Sequence, residues 1–275
     1  MERLKAALDK ARQSRATLQH VQDRDVAAVM PVSGASQLPA PLVDDWQSVR
    51  EVGIDPDRLA DARIVGEKDA TAFDALRSRL QGFCGQQTLG RIALSAPTRG
   101  CGTTTFALNL AFSFARRTDA KVLLVDLHHD APAIAQRLGV RGTTSIARVI
   151  SNEQPLPQML HRLGNALIIA AGSLDRRSTR RDPSLSATNR FLDALQTRFR
   201  PDVMLLDLPP VLEDTRGPSL IGLCDACLLV ASARATSAPD LDEAARRVSD
   251  QTAYLGAALN QSAERTARRR RHAIA

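Results

Sequence analysis

Three places in this chain of 275 residues gather side chains suited to handling phosphate. The first is RIALSAPTRGCGTTTFALNLA, residues 91–111: an apolar run, a loop holding Gly100 and Gly102, and a helix-forming stretch opened by Thr103, Thr104 and Thr105. Such a loop aims consecutive backbone N–H groups and the positive end of a helix at one point, which favours a phosphate. Against the P-loop pattern G-x-x-x-x-G-K-[ST], Gly102 matches and Thr104 takes the position whose hydroxyl meets Mg²⁺. Pro97 stands where the first glycine would be, and Thr103 stands where the lysine would be. The expected nucleotide cradle is therefore Arg99, Gly100, Cys101, Gly102, Thr103, Thr104 and Thr105, without its usual cation. Arg99 is the candidate substitute. Read more plainly, the threonines are helix caps.

The other two places are acidic. LLVDLHHDAP ends an apolar run on Asp126, and MLLDLPPVLED ends another on Asp207, after which Pro209 and Pro210 turn the chain. Carboxylates at such ends hold Mg²⁺ and its waters and orient an attacking group, so Asp126 and Asp207 are the candidate catalytic residues. With Thr104 they form the candidate Mg²⁺ set. His128 and His129 point to opposite sides of an extended segment and read as loop residues rather than a metal pair. Asp130, ahead of Pro132, reads as a helix cap. Cys224 and Cys227 have the spacing of a zinc or redox pair but no second ligand pair nearby, and they read as small apolar packing.

Positioning these groups requires a particular architecture. Apolar or β-branched runs at 91–95, 122–126, 166–170, 203–207, 226–231 and 254–260 alternate with helical patterns at 71–83, 103–117, 131–138, 184–198 and 239–249. Strands that are apolar throughout predict a mostly parallel sheet covered on both faces by helices, with functional loops at the carboxyl ends of the strands. Residues 1–20 carry apolar side chains at helical spacing and predict an amphipathic helix with a narrow stripe, which needs a partner surface. Residues 21–62, with the single Trp46, read as a linker or loosely docked arm. The expected organisation is an N-terminal helix and arm over 1–62, a P-loop α/β domain over 63–261 and a polybasic tail over 262–275.

The order of these segments carries a resemblance. P-loop, D-x-x-x-x-P after the next strand, ALIIAAG, D-x-P-P, CDACLLV and LGAALNQ together resemble the cytoplasmic bacterial tyrosine kinases of capsule and exopolysaccharide synthesis, relatives of the MinD/ParA-type ATPases. The opening MERLKAALDKARQSR and the arm after it are similar to the N-terminal extension of exopolysaccharide-associated members. The resemblance implies a deviant-Walker P-loop fold, ATP or ADP with Mg²⁺, and a partner that is an integral-membrane, Wzz-like polysaccharide co-polymerase. It also implies self-association through an E-x-x-R-x-x-R helix, which here aligns with Thr71, Asp74 and Arg77 and keeps only the last residue. Further departures accumulate at the chemistry. The family's Walker A lysine falls on Thr103. In its D-x-D-x-R segment Asp126 matches, but the second aspartate falls on His128 and the arginine on Asp130. The family's C-terminal tyrosine cluster has no counterpart, since the single tyrosine is Tyr254.

Magnitudes separate binding from turnover. Losing one charge-assisted contact costs roughly 1.5–3 kcal/mol, about 10- to 100-fold in affinity. A cation neutralising a transferring phosphoryl is worth roughly 10³–10⁵ in rate. The sequence thus predicts an impaired, nucleotide-binding regulator or scaffold of polysaccharide export, with an active ATPase or tyrosine kinase and a MinD/ParA-like positioning ATPase as rivals.

Composition bounds the remaining possibilities. No apolar run is long enough for a spanning helix, and the charged N-terminus is unlike a signal peptide, so a cytoplasmic location is expected. Of the net charge of +7, the tail over 264–275 supplies five arginines against one glutamate. Near an anionic leaflet each arginine contributes about 1 kcal/mol, so peripheral attachment at the inner membrane is expected. Aromatic residues are only 3%, too few to suggest a nucleic-acid surface with stacking platforms.

Overall fold

The computed structural model describes residues 45–66, 70–84, 90–117, 120–140, 144–173 and 183–262. The expected helix over 1–20 and the arginine-rich stretch beyond residue 262 lie outside the described residues.

In chain order the elements are α1 (Pro56–Asp61), α2 (Thr71–Cys84), β1 (Gly90–Ser95), α3 (Thr103–Ala115), β2 (Val122–Asp126), α4 (Ile134–Leu138) and α5 (Ile146–Ile150). A 3-10 turn, Leu156–Met159, leads to β3 (Leu160–Leu163) and β4 (Leu167–Ala170). Then follow α6 (Leu185–Phe199), β5 (Val203–Asp207), α7 (Gly217–Ile221), β6 (Ala226–Ser232), α8 (Ala238–Ser249) and β7 (Ala253–Asn260). The seven strands lie in the order β3-β4-β2-β5-β1-β6-β7, all parallel except the antiparallel pair β3 and β4.

The uniformly apolar strands have the two-sided burial their composition predicts. Side chains alternate across the pleat, and here both destinations are core. Leu123 and Val125 of β2 join Met204 and Leu206 of β5 on one face, under α6 and α8. Val122 and Leu124 join Val203 and Leu205 on the other face, under α3, where Phe106, Leu110 and Phe114 are buried. Phe73 of α2 meets Phe106 edge to face, with centroids 5.1 Å apart. Cys224 and Cys227 are buried and part of the first face's core, in keeping with a packing role.

Two features depart from the sequence reading. Strand β3, LHRL, was not expected, because His161 and Arg162 break the apolar pattern. It sits at the sheet edge, where one flank is free of a neighbouring strand. Its outer flank is covered by residues 50–52: Val52 donates to the Arg162 carbonyl (2.9 Å), the Arg162 N–H donates to Arg50 O (3.0 Å), and the Arg162 guanidinium reaches Glu51 Oε2 (2.9 Å). The second departure follows from the first. Residues 45–62 do not form a loose arm. Trp46 is 2% exposed, donates its Nε1–H to Phe199 O (2.7 Å) and packs edge to face on the Phe199 ring. Val49 belongs to the same core, while Ile54, Leu59 and Ile64 pack on the opposite one. The boundary expected near Arg63 therefore falls inside packed structure, because a tryptophan and four aliphatic residues in a polar stretch find core only through distant elements.

Candidate functional site

The strand order brings the three phosphate-handling segments to one end of the sheet. β1 lies beside β5, and β5 lies beside β2, so the loop after β1, Asp207 and Asp126 emerge side by side. A cleft of about 780 Å³ opens there, lined by residues that include Arg99, Gly100, Gly102, Thr103, Thr104, Thr105, Arg137 and Asp207.

Gly102 is the hinge of the loop. Its φ of +83° is left-handed, a conformation that favours glycine, and it is the N-cap of α3 with no side-chain cap hydrogen bond. The first N–H groups of a 13-residue helix thus lack side-chain capping, which is the arrangement that accepts an anion. The loop is held from behind by the end of β7. Asn260 Nδ2 donates to Cys101 O (2.8 Å) and Gln261 Nε2 donates to Gly100 O (2.8 Å). The Gln261 Oε1 atom accepts in turn from Ser232 Oγ (2.8 Å) at the end of β6. Asn260 and Gln261 were absent from the site expected from sequence; the LGAALNQ segment contained them, but the tether they form spans about 160 residues of chain, as the separations of 159 and 161 show.

The cradle residues divide by side chain. Thr103, Thr104 and Thr105 open α3 and line the cleft. Cys101 contributes backbone only: its side chain is 1% exposed and turns toward Thr236 Oγ1 (3.5 Å), away from the cleft lining. Arg99 stands at the mouth with its side chain 63% exposed, its N–H on Glu213 Oε2 (2.9 Å) and its Nε 3.4 Å from the same oxygen. The expected substitute cation is thus answered by a carboxylate that sequence reasoning did not connect to it.

The two carboxylates have opposite surroundings. Asp126 Oδ2 accepts from the N–H groups of Ala133 (3.0 Å) and Ile134 (3.1 Å), and Oδ1 accepts from His128 (3.2 Å). It therefore caps α4, the part expected of Asp130; the helix begins only at Ile134. Burial pushes the Asp126 carboxyl up from 3.8 to about 6, with the three N–H groups pulling the other way. Asp207 is 1% exposed, and neither of its carboxylate oxygens has a hydrogen-bond partner. Burial, and then the charge of Asp126, raise it well above the usual carboxylate range, against the pull of the nearby Thr104 hydroxyl and Arg137 guanidinium. An orphaned buried carboxylate lining a cleft beside a threonine hydroxyl fits a hard cation. Among the described residues no three His, Cys, Asp or Glu side chains converge to hold a metal by themselves. Mg²⁺ keeps several waters and binds through one or two carboxylates plus phosphate oxygens, so the donor set fits it only together with a nucleotide.

Of the groups expected at a subunit contact, Thr71 is exposed, whereas Asp74 and Arg77 bond to α3. Arg77 Nη1 donates to Asp74 Oδ1 (2.9 Å) and Ser113 O (2.6 Å), and Arg116 joins the same carboxylate (3.1 Å). The Ser113 hydroxyl on Asp74, followed by Arg116 and Arg77, holds that carboxyl below its usual range. Tyr254 lies in β7, half-buried against the core.

No protein-family profile matches the chain. Among curated proteins it is similar to the virulence plasmid ParA family protein pGP5-D of Chlamydia psittaci, 32% identical over 119 residues, which are 41% of this chain and 46% of that protein. The chain thus matches less than half the length of that relative. Among solved structures, the kinase domain of the Escherichia coli tyrosine kinase ETK superposes with a TM-score of 0.66 at 18% identity, over 82% of this chain and 89% of that one. The VpsO kinase domain superposes with a TM-score of 0.60 at 27% identity, over 72% of this chain and 96% of that one. The septum site-determining protein MinD of Pyrococcus horikoshii, complexed with Mg-ADP, superposes with a TM-score of 0.53 at 20% identity, over 62% of this chain and 69% of that one. The fold is that of bacterial tyrosine-kinase domains and MinD/ParA-type P-loop ATPases.

Proposed function

We propose that this protein binds ATP or ADP with Mg²⁺ in the cleft and acts as a catalytically impaired regulator or scaffold of exopolysaccharide export, beside a membrane polysaccharide co-polymerase. The observation that carries the nucleotide reading is Asp207: a carboxylate buried without a hydrogen-bond partner, lining the same cleft as Thr104. Such a group is costly unless a cation answers it. Phosphates would lie on the N–H groups of 102–105, and Thr104 and Asp207 would hold Mg²⁺, whose chemistry is to neutralise phosphate charge. Asp126 would act on that ion through water, since its oxygens already accept three N–H groups.

The impaired reading is supported by residue chemistry. Thr103 offers no charge where a P-loop lysine would stand, and His128 and Asp130 replace the second aspartate and the arginine of the tyrosine-kinase pattern. The single tyrosine lies in a strand. Titration calorimetry with Mg-ATP and Mg-ADP, paired with labelled ATP, tests both halves. Binding without phosphotyrosine is expected. Absence of binding removes the nucleotide reading, and robust tyrosine labelling removes the impaired one.

The similarity to a ParA family protein favours a second reading, a positioning ATPase. ATP-dependent dimerisation, measured by light scattering, together with localisation independent of polysaccharide, supports it over the first.

Membrane attachment in either reading would come from the five arginines of 264–275. No helix among the described residues is long and apolar enough to cross a bilayer. Co-sedimentation with anionic vesicles should fall when 264–275 are deleted; unchanged sedimentation argues against the tail.

A further inference from the structure

The cleft's cations are Arg63, Arg99 and Arg137. Arg99 is engaged by Glu213 and mostly exposed. Arg63 is exposed at the mouth, with its carbonyl bound by Asn109 Nδ2 (3.0 Å). Arg137 differs from both. It rises from α4, is half-buried, and its Nε is buried without a hydrogen-bond partner. It lines the cleft together with Asp207, close enough for its charge to act on that carboxylate.

The short helix that carries Arg137 is fixed at both ends. Asp126 holds its first turn through the N–H groups of Ala133 and Ile134. At the other end Gly139 closes it in the left-handed conformation, φ +68°, with its N–H on Gln136 O (3.2 Å). The side chain of Arg58 in α1 passes 3.4 Å from where a Gly139 Cβ would stand. A guanidinium on a braced helix presents a planar fork of donors, which suits the paired oxygens of a phosphate.

We propose that Arg137 supplies the phosphate-neutralising cation that Thr103 does not, reaching a nucleoside di- or triphosphate from α4 across the cleft, with Asp126 as the positioning residue that sets its helix. The proposal rests on the reading of the cleft as a nucleotide site. It gives Asp126 a task independent of metal: the carboxylate that would face Mg²⁺ through water also orients the arginine.

The test is calorimetric titration of the full chain with Mg-ATP and Mg-ADP in four forms: unmodified, Arg137→Met, Arg137→Lys, and Arg137→Met combined with Thr103→Lys. Methionine keeps much of the buried stem while removing charge. The Met variant should bind Mg-ATP roughly 10- to 100-fold more weakly, the loss of one charge-assisted contact. The Lys variant should lose less, and Thr103→Lys in the Met background should restore most of the affinity. Thermal unfolding without nucleotide separates lost binding from lost fold; should the Met variant unfold early, Arg137→Gln, which also removes the charge, carries the comparison with the unmodified chain, and a loss smaller than threefold overturns the role. Equal affinity of a folded Met variant and the unmodified chain overturns Arg137 while leaving the nucleotide reading intact. No binding by the unmodified chain overturns both.

Discussion

Asp126 and Asp207 are register partners on adjacent strands, yet the first accepts three backbone N–H groups and the second accepts none. Their different surroundings give opposite expectations for the same kind of substitution.

Replacing Asp207 by Asn should stabilise the ligand-free protein in a pH-dependent way. A carboxyl whose folded pKa lies above its unfolded value of 3.8 takes up a proton on folding, so its contribution is most favourable in acid and is lost as pH rises through the folded pKa. The gain in melting temperature of Asp207→Asn over the unmodified chain should therefore grow from pH 4 to pH 8. His128 and His161, which burial holds below their usual range, contribute the opposite slope but are common to both proteins. A difference that is flat with pH contradicts an unanswered Asp207. The same variant should weaken Mg-nucleotide binding.

Asp126→Ala should destabilise, by roughly 1–3 kcal/mol, because it leaves the N–H groups of His128, Ala133 and Ile134 without their acceptor. Urea unfolding reads this directly. Asp126→Asn, which keeps an acceptor oxygen, should recover part of the loss.

Gly102→Ala places a Cβ 2.6 Å from Asn260 Nδ2 on a backbone with φ +83°. The left-handed conformation costs about 1–2 kcal/mol for a residue with a Cβ, and the Asn260 amide must leave the Cys101 carbonyl. The protein should still fold, since the strain lies at the loop, but nucleotide titration should show reduced or absent binding.

Trp46→Ala should cost about 3–5 kcal/mol, the range for emptying a large aromatic site in a core. Denaturation followed by circular dichroism checks it, because the variant has no tryptophan left to report by fluorescence. A chain starting at residue 63 should be less stable still, lacking Val49, Ile54 and Leu59 as well.

Much of the site was legible because its parts are local. A loop with Gly100 and Gly102 ahead of a threonine triplet states its own geometry, and an aspartate closing an apolar run is by that fact at a strand end. The parallel sheet was legible for the same reason: VLLVD and VMLLD have no polar face, and only a strand with helices on both sides suits such a run. What escaped was edge and partner. β3 was hidden by His161 and Arg162, and the packing of Trp46 was hidden by the polar residues around it, since both are completed by chain more than a hundred residues away.

By itself, the order of residues determined the strand ends, the glycine-containing loop ahead of the threonine triplet and the absence of charge at Thr103. Only the tertiary structure decided which charges are answered: Arg99 by Glu213, Asp126 by the first turn of α4, and Asp207 by no hydrogen bond. Side-chain type and spacing act within a few residues, whereas the electrostatic state of a buried group depends on whatever distant segment the fold places beside it.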